Sequence, residues 1–387
     1  MNTTLPSNTY DYIIAGSGCA GLTLLYRILL EPALCNKKIL VIDKERKDSN
    51  DRTWCFWEKD DGLFQPIVHH QWDNLDFFSE YYSNTLHIAP YRYKMIKGLD
   101  FYNHVYAFAA QFENVEFRYD HIKKLYMAGS TPVVETKSSL FSAGYIFNST
   151  KFFSPETIKG NNSLLMHFKG WTIKTDQPCL DPGKGTLMDF NVDQQGGTAF
   201  MYLLPTTNNE ALVEYTLFTG HTLSPGTYTE VLKEYIHNTL KVDTFELLQE
   251  ESGVIPLTKK QYPTHHRKKI IHIGTAGGCV KASSGYAFQF IQQQTDSIIL
   301  KLKEGKTPIV KCSFKNKKFL WYDRTFLDVL IAKKMSGAAF MSLIIEKITP
   351  EKVLDFLGNE SNIIDDFNIM KSVPVRVFLP TAIRQIF

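Results

Sequence analysis

Nowhere in the 387-residue chain do about 20 apolar residues follow one another, the length a bilayer-spanning helix needs. The two nearest segments fail. Tyr12 to Leu30 is broken by three glycines and Arg27, and Phe326 to Ile345 by Asp328, Lys333 and Lys334. The first ten residues lack the charged start and apolar stretch of a secretory signal, so residence in the cytoplasm is the expectation. Excess charge is missing too: 43 Lys and Arg against 40 Asp and Glu leave a formal +3, which gives no field for nucleic acid. The six cysteines (Cys19, Cys35, Cys55, Cys179, Cys279 and Cys312) form no C-x-x-C and have no histidine at metal spacing. They read as reduced and mostly buried, with no disulfide and no metal site. Internal repeats and low-complexity tracts are absent, and 44% hydrophobic with 21% charged residues is ordinary for a folded globule. The surplus is aromatic, at 13% of residues. Such large flat apolar surfaces must be buried or used.

The most informative segment is Asp11-Tyr-Ile-Ile-Ala-Gly16-Ser-Gly18-Cys-Ala-Gly21, followed by the helical period Leu22 to Leu30 and the apolar run Lys38-Ile-Leu-Val-Ile-Asp43. Strand, tight turn, helix and second strand make one βαβ unit. Gly16, Gly18 and Gly21 form G-x-G-x-x-G, with Ser17 in the turn, and the helix start offers N–H groups to a pyrophosphate. Asp43 stands where an acid binds the adenosine ribose. A dinucleotide site is expected, against the alternative of a packing turn. The choice between FAD and NAD rests on a second glycine segment, Ile271-His-Ile-Gly274-Thr-Ala-Gly277-Gly278 through Gly285, which follows a strand and precedes a helix. A flavoprotein closes over its flavin with such a segment, and a helix start there favours the negative charge of a reduced flavin. FAD is favoured over an ordinary strand-to-helix loop.

At roughly 100–200 residues per domain the length allows about two domains. Strands are expected within Thr131 to Ser149, with a break at Lys137, and a hairpin joins Ala199–Leu204 to Ala211–Phe218 through Pro205–Asn209. Helices are expected over Tyr228–Leu240 and Ser284–Leu302, and packed helices beyond Lys315. The predicted fold is α/β with α+β elements: a Rossmann-like FAD-binding domain, an inserted β-rich substrate or cap domain, and C-terminal helices. Residues 8–60, 100–150 and 262–310 are assigned to the first, 61–99 and 151–261 to the second, and 311–387 to the third.

Several ordered points resemble the lycopene β-cyclases of the bacterial and plant flavoprotein type. They are the N-terminal dinucleotide site, Asp51-Arg-Thr-Trp54, Leu187-Met-Asp-Phe190, Phe200 to Pro205, Leu212-Val-Glu-Tyr-Thr216, Glu251 to Pro256, and Gly277 through Tyr286. The first and last are common among flavoproteins, but the middle ones are not. The resemblance implies closure of the linear ends of lycopene into β-ionone rings, giving γ-carotene and β-carotene with no net redox change. It implies reduced FAD as stabiliser of a carbocation, and NADPH or NADH as its reductant. Lycopene or other linear carotenoids would be taken from a membrane surface, making the protein peripheral to the membrane. The oligomeric state stays open.

By that resemblance Glu214 is the catalytic acid. Strand alternation sets it on one face with Leu212, Thr216 and Phe218, and apolar surroundings would raise its pKa; the alternative is a solvated carboxylate on an edge strand. In plant relatives the next residue is also Glu; here it is Tyr215, so a pair of adjacent carboxylates does not carry over. Asp189 and Glu251 match other acidic positions as aids or proton acceptors, against a turn cap and a surface ion pair. Trp54, Phe56, Trp57, Tyr202 and Tyr286 are candidates to line the substrate cavity, since aromatic faces attract cations; each is otherwise plain core. Arg52 is placed at the flavin phosphate. Two departures stand out: Phe147-Asn148-Ser149-Thr150 replaces the family's Asp-Ala-Arg/Thr-Gly, and Lys281-Ala282 replaces His-Pro. Lys281 would bring positive charge to the flavin or reach solvent. The basic run His265 to Lys269 reads as a solvated loop rather than a lipid contact, and Phe326 to Ile345 as one membrane-facing candidate. A redox flavoenzyme on the same fold is the alternative, although Gly274-Thr275 stands where such enzymes carry Gly-Asp. A non-catalytic nucleotide-sensing or carotenoid-carrier protein that keeps the FAD site is a third reading, favoured by an exposed Glu214 far from the flavin.

Overall fold

The computed structural model describes residues 8–151, 163–310 and 314–385, so Cys312 lies outside the described residues. Its first sheet runs His265–His266, Ile270–His272, Leu140–Asn148, Thr9–Ala15, Ile39–Asp43, Val115–Tyr119, parallel except for the first edge strand. Thr131–Thr136 and Ile122–Ala128 extend Leu140–Asn148 as an antiparallel meander. Both faces are covered, which is why the inner strands read as unbroken apolar runs. Leu22, Leu25 and Ile28 of the helix Cys19–Leu30 pack with Ile298 of the helix Phe288–Lys303 on one face. Leu40, Ile42, Val134 and Phe141 fill the other. The helix expected from Ser284 begins four residues later, because Lys281 to Gly285 close a turn in which the Ser284 and Gly285 N–H groups donate to the Lys281 carbonyl.

The second sheet has seven strands in the order Phe245–Leu257, Leu164–Thr175, Glu210–Thr219, Thr198–Pro205, Lys184–Asp189, Asn74–Phe78, Ser83–His87. The expected hairpin is its centre. One face carries Trp171, Val213, Tyr215 and Leu217 against the helix Pro225–Asn238. That helix starts three residues ahead of the expected Tyr228, because Ser224 caps it by accepting from the Thr227 N–H and Pro225 suits the first turn. The other face meets the side of the first sheet and five C-terminal helices, Phe314–Ile331, Gly337–Lys347, Pro350–Leu357, Ile363–Ser372 and Val375–Ile383. A small antiparallel sheet of Thr53–Glu58, Arg92–Lys97 and His70–Trp72 lies between. The basic run, expected as a solvated loop, begins as the edge strand His265–His266 of the first sheet and turns sharply at Arg267 and Lys268, both at positive φ, into Ile270–His272.

The described cysteines are free; Cys19, Cys35, Cys55 and Cys279 are partly buried, and Cys179 is exposed. Cys19 and Cys55 face an internal cleft, which is what keeps them partly accessible. Among the described residues no group of His, Cys, Asp or Glu could hold a metal ion, and no helix is long and apolar enough to cross a membrane.

Candidate active site

The turn after Thr9–Ala15 is built for close approach. Gly16 has φ of +104°, and a Cβ there would collide with Ser149 Oγ, while one on Gly21 would collide with the Gly16 carbonyl oxygen. The helix from Cys19 therefore seats directly on the turn. Gly18 has no neighbour within 4 Å of its missing Cβ and borders the cleft. No side chain caps this helix and no acid sits in its first turn, so its N–H groups remain for an anionic ligand. Asp43 accepts from the Ser17 N–H at 2.6 Å and hydroxyl at 2.8 Å. The second glycine segment packs on the same helix start: a Cβ on Gly274 would stand 2.6 Å from Ala20 Cβ. From this segment Thr275, Ser284, Gly285 and Tyr286 reach the cleft, while Gly274, Gly277 and Gly278 shape the turn behind them.

This cleft, about 430 Å³, extends from Gly18 and Cys19 past Trp54 to Leu212, Glu214 and Thr216. Glu214 and Glu251 lie on strands flanking Leu164–Thr175, both in register with Gly170. A Cβ on Gly170 would stand 3.2 Å from Glu214 Oε2 and 3.3 Å from Glu251 Cγ, so any side chain there would crowd both carboxyl groups. The two carboxyl groups are neighbours on the same side of Gly170. Burial raises the Glu214 pKa well above the carboxylate range; the Glu251 charge raises it further, against the Thr216 hydroxyl, which donates at 3.0 Å. Glu251 is raised by burial too, but the Thr53 hydroxyl donating at 2.8 Å, the Glu214 carboxyl and the Arg52 charge pull it back. Burial and mutual proximity thus favour a proton held within the Glu214–Glu251 pair. Adjacency in sequence did not supply this pair; a crossing of three strands does. Gly170 and Thr53 had no assigned role in the sequence, and the only signal was a glycine inside an apolar strand.

Beyond Glu214 stand Tyr202 and Tyr286, with hydroxyls 3.1 Å apart. They border both the cleft and a second cavity of about 330 Å³, which is lined by Phe190, Phe200, Phe218, Phe326, Phe340 and the C-terminal helices. An acid therefore lines the glycine-turn cleft next to the two tyrosines that separate it from an apolar chamber. Trp54 borders the cleft, edge-on to Phe101 at 5.1 Å. Phe56 is buried and stacked on Phe288, and Trp57 is buried behind Tyr286, its ring 4.9 Å away, so neither lines a cavity.

Arg52 is exposed at the cleft edge, its guanidinium donating to the Ser252 carbonyl at 3.1 Å. Asp189 is not brought to Glu214: it is buried on the helix-covered side, accepting from the Tyr235 hydroxyl at 3.0 Å and the Asn191 N–H at 3.0 Å. Lys281 reaches neither flavin side nor solvent. It is fully buried among the C-terminal helices, paired with Asp323 at 2.8 Å and donating to Asn359 at 2.8 Å.

Comparison with known proteins agrees with this geometry. A model of the family described as lycopene cyclase protein matches residues 11–382. The lycopene beta-cyclase of Pantoea ananas is 26% identical over 261 residues, covering 64% of this chain and 63% of that protein. That of Paracoccus sp. (strain N81106 / MBIC 01143) is 22% identical over 303 residues, covering 75% and 73%. Among solved structures, a flavoprotein/dehydrogenase from Cytophaga hutchinsonii superposes with a TM-score of 0.67 at 12% identity, covering 97% of this chain and 98% of that one. A geranylgeranyl bacteriochlorophyll reductase-like protein from Thermoplasma acidophilum gives 0.62 at 13%, covering 98% of each. At these identities the structures establish the fold alone, a Rossmann-type α/β flavoprotein fold. The family match runs through both the glycine turn and the Glu214 strand, and the chain belongs to the lycopene cyclase family.

Proposed function

We propose that the protein is a lycopene β-cyclase that requires FAD and NADPH or NADH, closing the linear ends of lycopene to γ-carotene and β-carotene without net redox change. The observation that carries this reading is the buried pair of carboxyl groups on Glu214 and Glu251, set side by side across Gly170 between the glycine turn and the aromatic chamber. The turn fits a dinucleotide: Gly18 is open to the cleft, the helix start is uncapped, and Gly16 and Gly21 permit backbone approach that a Cβ would block. Ser17, Asp43, Arg52 and the Gly274–Gly285 segment would complete the hold. Residues 8–60, 100–150 and 262–310 would form the flavin domain, 61–99 and 151–261 the substrate domain, and 311–387 a helical cover. Reduced FAD, when bound, supplies negative, π-rich character facing a carbocation.

The chain's own residues do the proton work. Glu214 gives its proton to a carbon–carbon double bond at the polyene end, the ring closes on the resulting cation, and a proton is then lost to form the ring double bond. The Glu214–Glu251 pair takes a proton back, so the cycle restores its starting charge. Glu251, held by Thr53, is better placed for this than Asp189, which faces the opposite side of the sheet. Trp54, Tyr202 and Tyr286 would exclude water and turn aromatic surface toward the cation. The substrate, insoluble in water, would be collected at the cytoplasmic face of a membrane.

Expression in cells that accumulate lycopene tests the reading. Conversion of red lycopene to cyclic carotenoids is expected, and Glu214→Gln should lower it about 100-fold or more while FAD stays bound. Unchanged lycopene in the presence of folded, flavin-loaded protein would refute the proposal. Net NAD(P)H oxidation in proportion to substrate would point to redox chemistry instead.

A further inference from the structure

The exposed large apolar side chains of this protein concentrate on its last two helices. Ile363 is 73% and Ile364 74% exposed, joined by Phe367, Met370, Val375, Leu379 and Ile383. A patch of this kind marks a contact surface. Its charges are one-sided. Between residues 362 and 385 the charged side chains that reach solvent are Lys371, Arg376 and Arg384. The two acids of the same stretch are turned inward, Asp365 to Lys352 at 2.8 Å and Asp366 to Lys318 at 2.5 Å. Phe367, Met370, Val375 and Leu379 also line the aromatic chamber that ends at Tyr202 and Tyr286, so the patch is the chamber's rim.

We infer that the helices Ile363–Ser372 and Val375–Ile383 form the surface by which the protein docks on an anionic lipid bilayer, with the chamber opening into the lipid. Apolar side chains enter the acyl boundary, and Lys371, Arg376 and Arg384 meet lipid phosphates. The charge pattern is complementary to anionic headgroups. It opposes a second copy as occupant, because a two-fold contact would face this positive patch with another patch of the same sign. The Phe326 to Ile345 stretch is not this surface: Leu327, Met341, Ile344 and Ile345 are buried against the seven-stranded sheet. The inference deepens the cyclase reading and rests on it for the cargo, but not for the binding.

Flotation of the flavin-loaded full chain with phosphatidylcholine vesicles containing about 30% phosphatidylglycerol tests it. Ile363 and Ile364 project into solvent and line no cavity, so I363D/I364D is expected to fold normally and bind these vesicles about tenfold or more weakly. R376E/R384E should weaken binding about fivefold or more per charge. Both variants should turn over detergent-dispersed lycopene as the wild type does. Wild-type flotation by I363D/I364D, or failure of the wild type to float, would overturn the inference. So would a wild-type dimer that I363D/I364D splits, since the patch would then join two copies. Flotation is read without turnover, so a protein that floats through this patch yet leaves lycopene unchanged refutes the cyclase reading while the surface stands.

Discussion

At the scale of single residues, the Glu214–Glu251 pair makes the sharpest demands. As the proposed acid, Glu214 must be protonated, a form that burial and then the Glu251 charge favour. Glu251→Gln removes that charge, so the Glu214 pKa falls and the high-pH limb of the cyclisation profile should move to lower pH; an unmoved limb would separate the two groups. Stability follows with its own sign. The unfolded Glu214 loses its proton near pH 4.5, whereas the folded one holds it to higher pH, so this residue costs stability as pH rises between those values. Glu214→Gln removes the cost, and its Tm near neutral pH should equal or exceed the wild type's, measured by thermal unfolding. Gly170→Ala adds a methyl at 3.2 Å from Glu214 Oε2. It should cost roughly 1–3 kcal/mol of stability by overpacking and lower turnover, with the pH limb shifted because the carboxyls are pushed apart. Glu214 was legible through its motif and strand alternation. Glu251 was visible as an acid but not as a partner, because strand register across Gly170 is a long-range property.

At the scale of elements, the helix Pro225–Asn238 is fixed to the seven-stranded sheet partly through buried His167. Its imidazole meets the Tyr228 hydroxyl at 2.6 Å and Thr219 Oγ1 at 2.7 Å. Burial lowers the His167 pKa to about 4. The unfolded chain therefore takes up a proton near pH 6.5 that the folded chain refuses, and stability should fall as pH drops from about 6.5 to 4, approaching about 3 kcal/mol. His167→Gln, followed by urea denaturation across that range, should flatten the fall. The hairpin and the βαβ unit were readable because each is built from contiguous residues with its own period and turn chemistry. The late start of Phe288–Lys303 was not, since the turn at Lys281 to Gly285 depends on a lysine buried against Asp323, over 40 residues away.

At the scale of the whole molecule, two cavities share Tyr202 and Tyr286 as a partition, one facing the glycine turns and one facing the C-terminal helices. Filling the far chamber with Phe340→Trp should reduce lycopene turnover about tenfold while leaving flavin content unchanged, read by absorbance of the purified protein. Equal turnover would show that the polyene does not use that chamber. The sequence by itself determined the dinucleotide turn, the Rossmann-type fold and the acid on Glu214's strand face, because glycine spacing, apolar runs and side-chain alternation are local rules. It also registered the aromatic surplus without its place. Only the tertiary structure decided that Glu251 lies beside Glu214, that Asp189 and Lys281 point elsewhere, and that aromatic residues from distant segments enclose one chamber. Those outcomes depend on which strands lie side by side and which helix covers which face. Chain neighbours do not carry that information, because burial and charge coupling act across space.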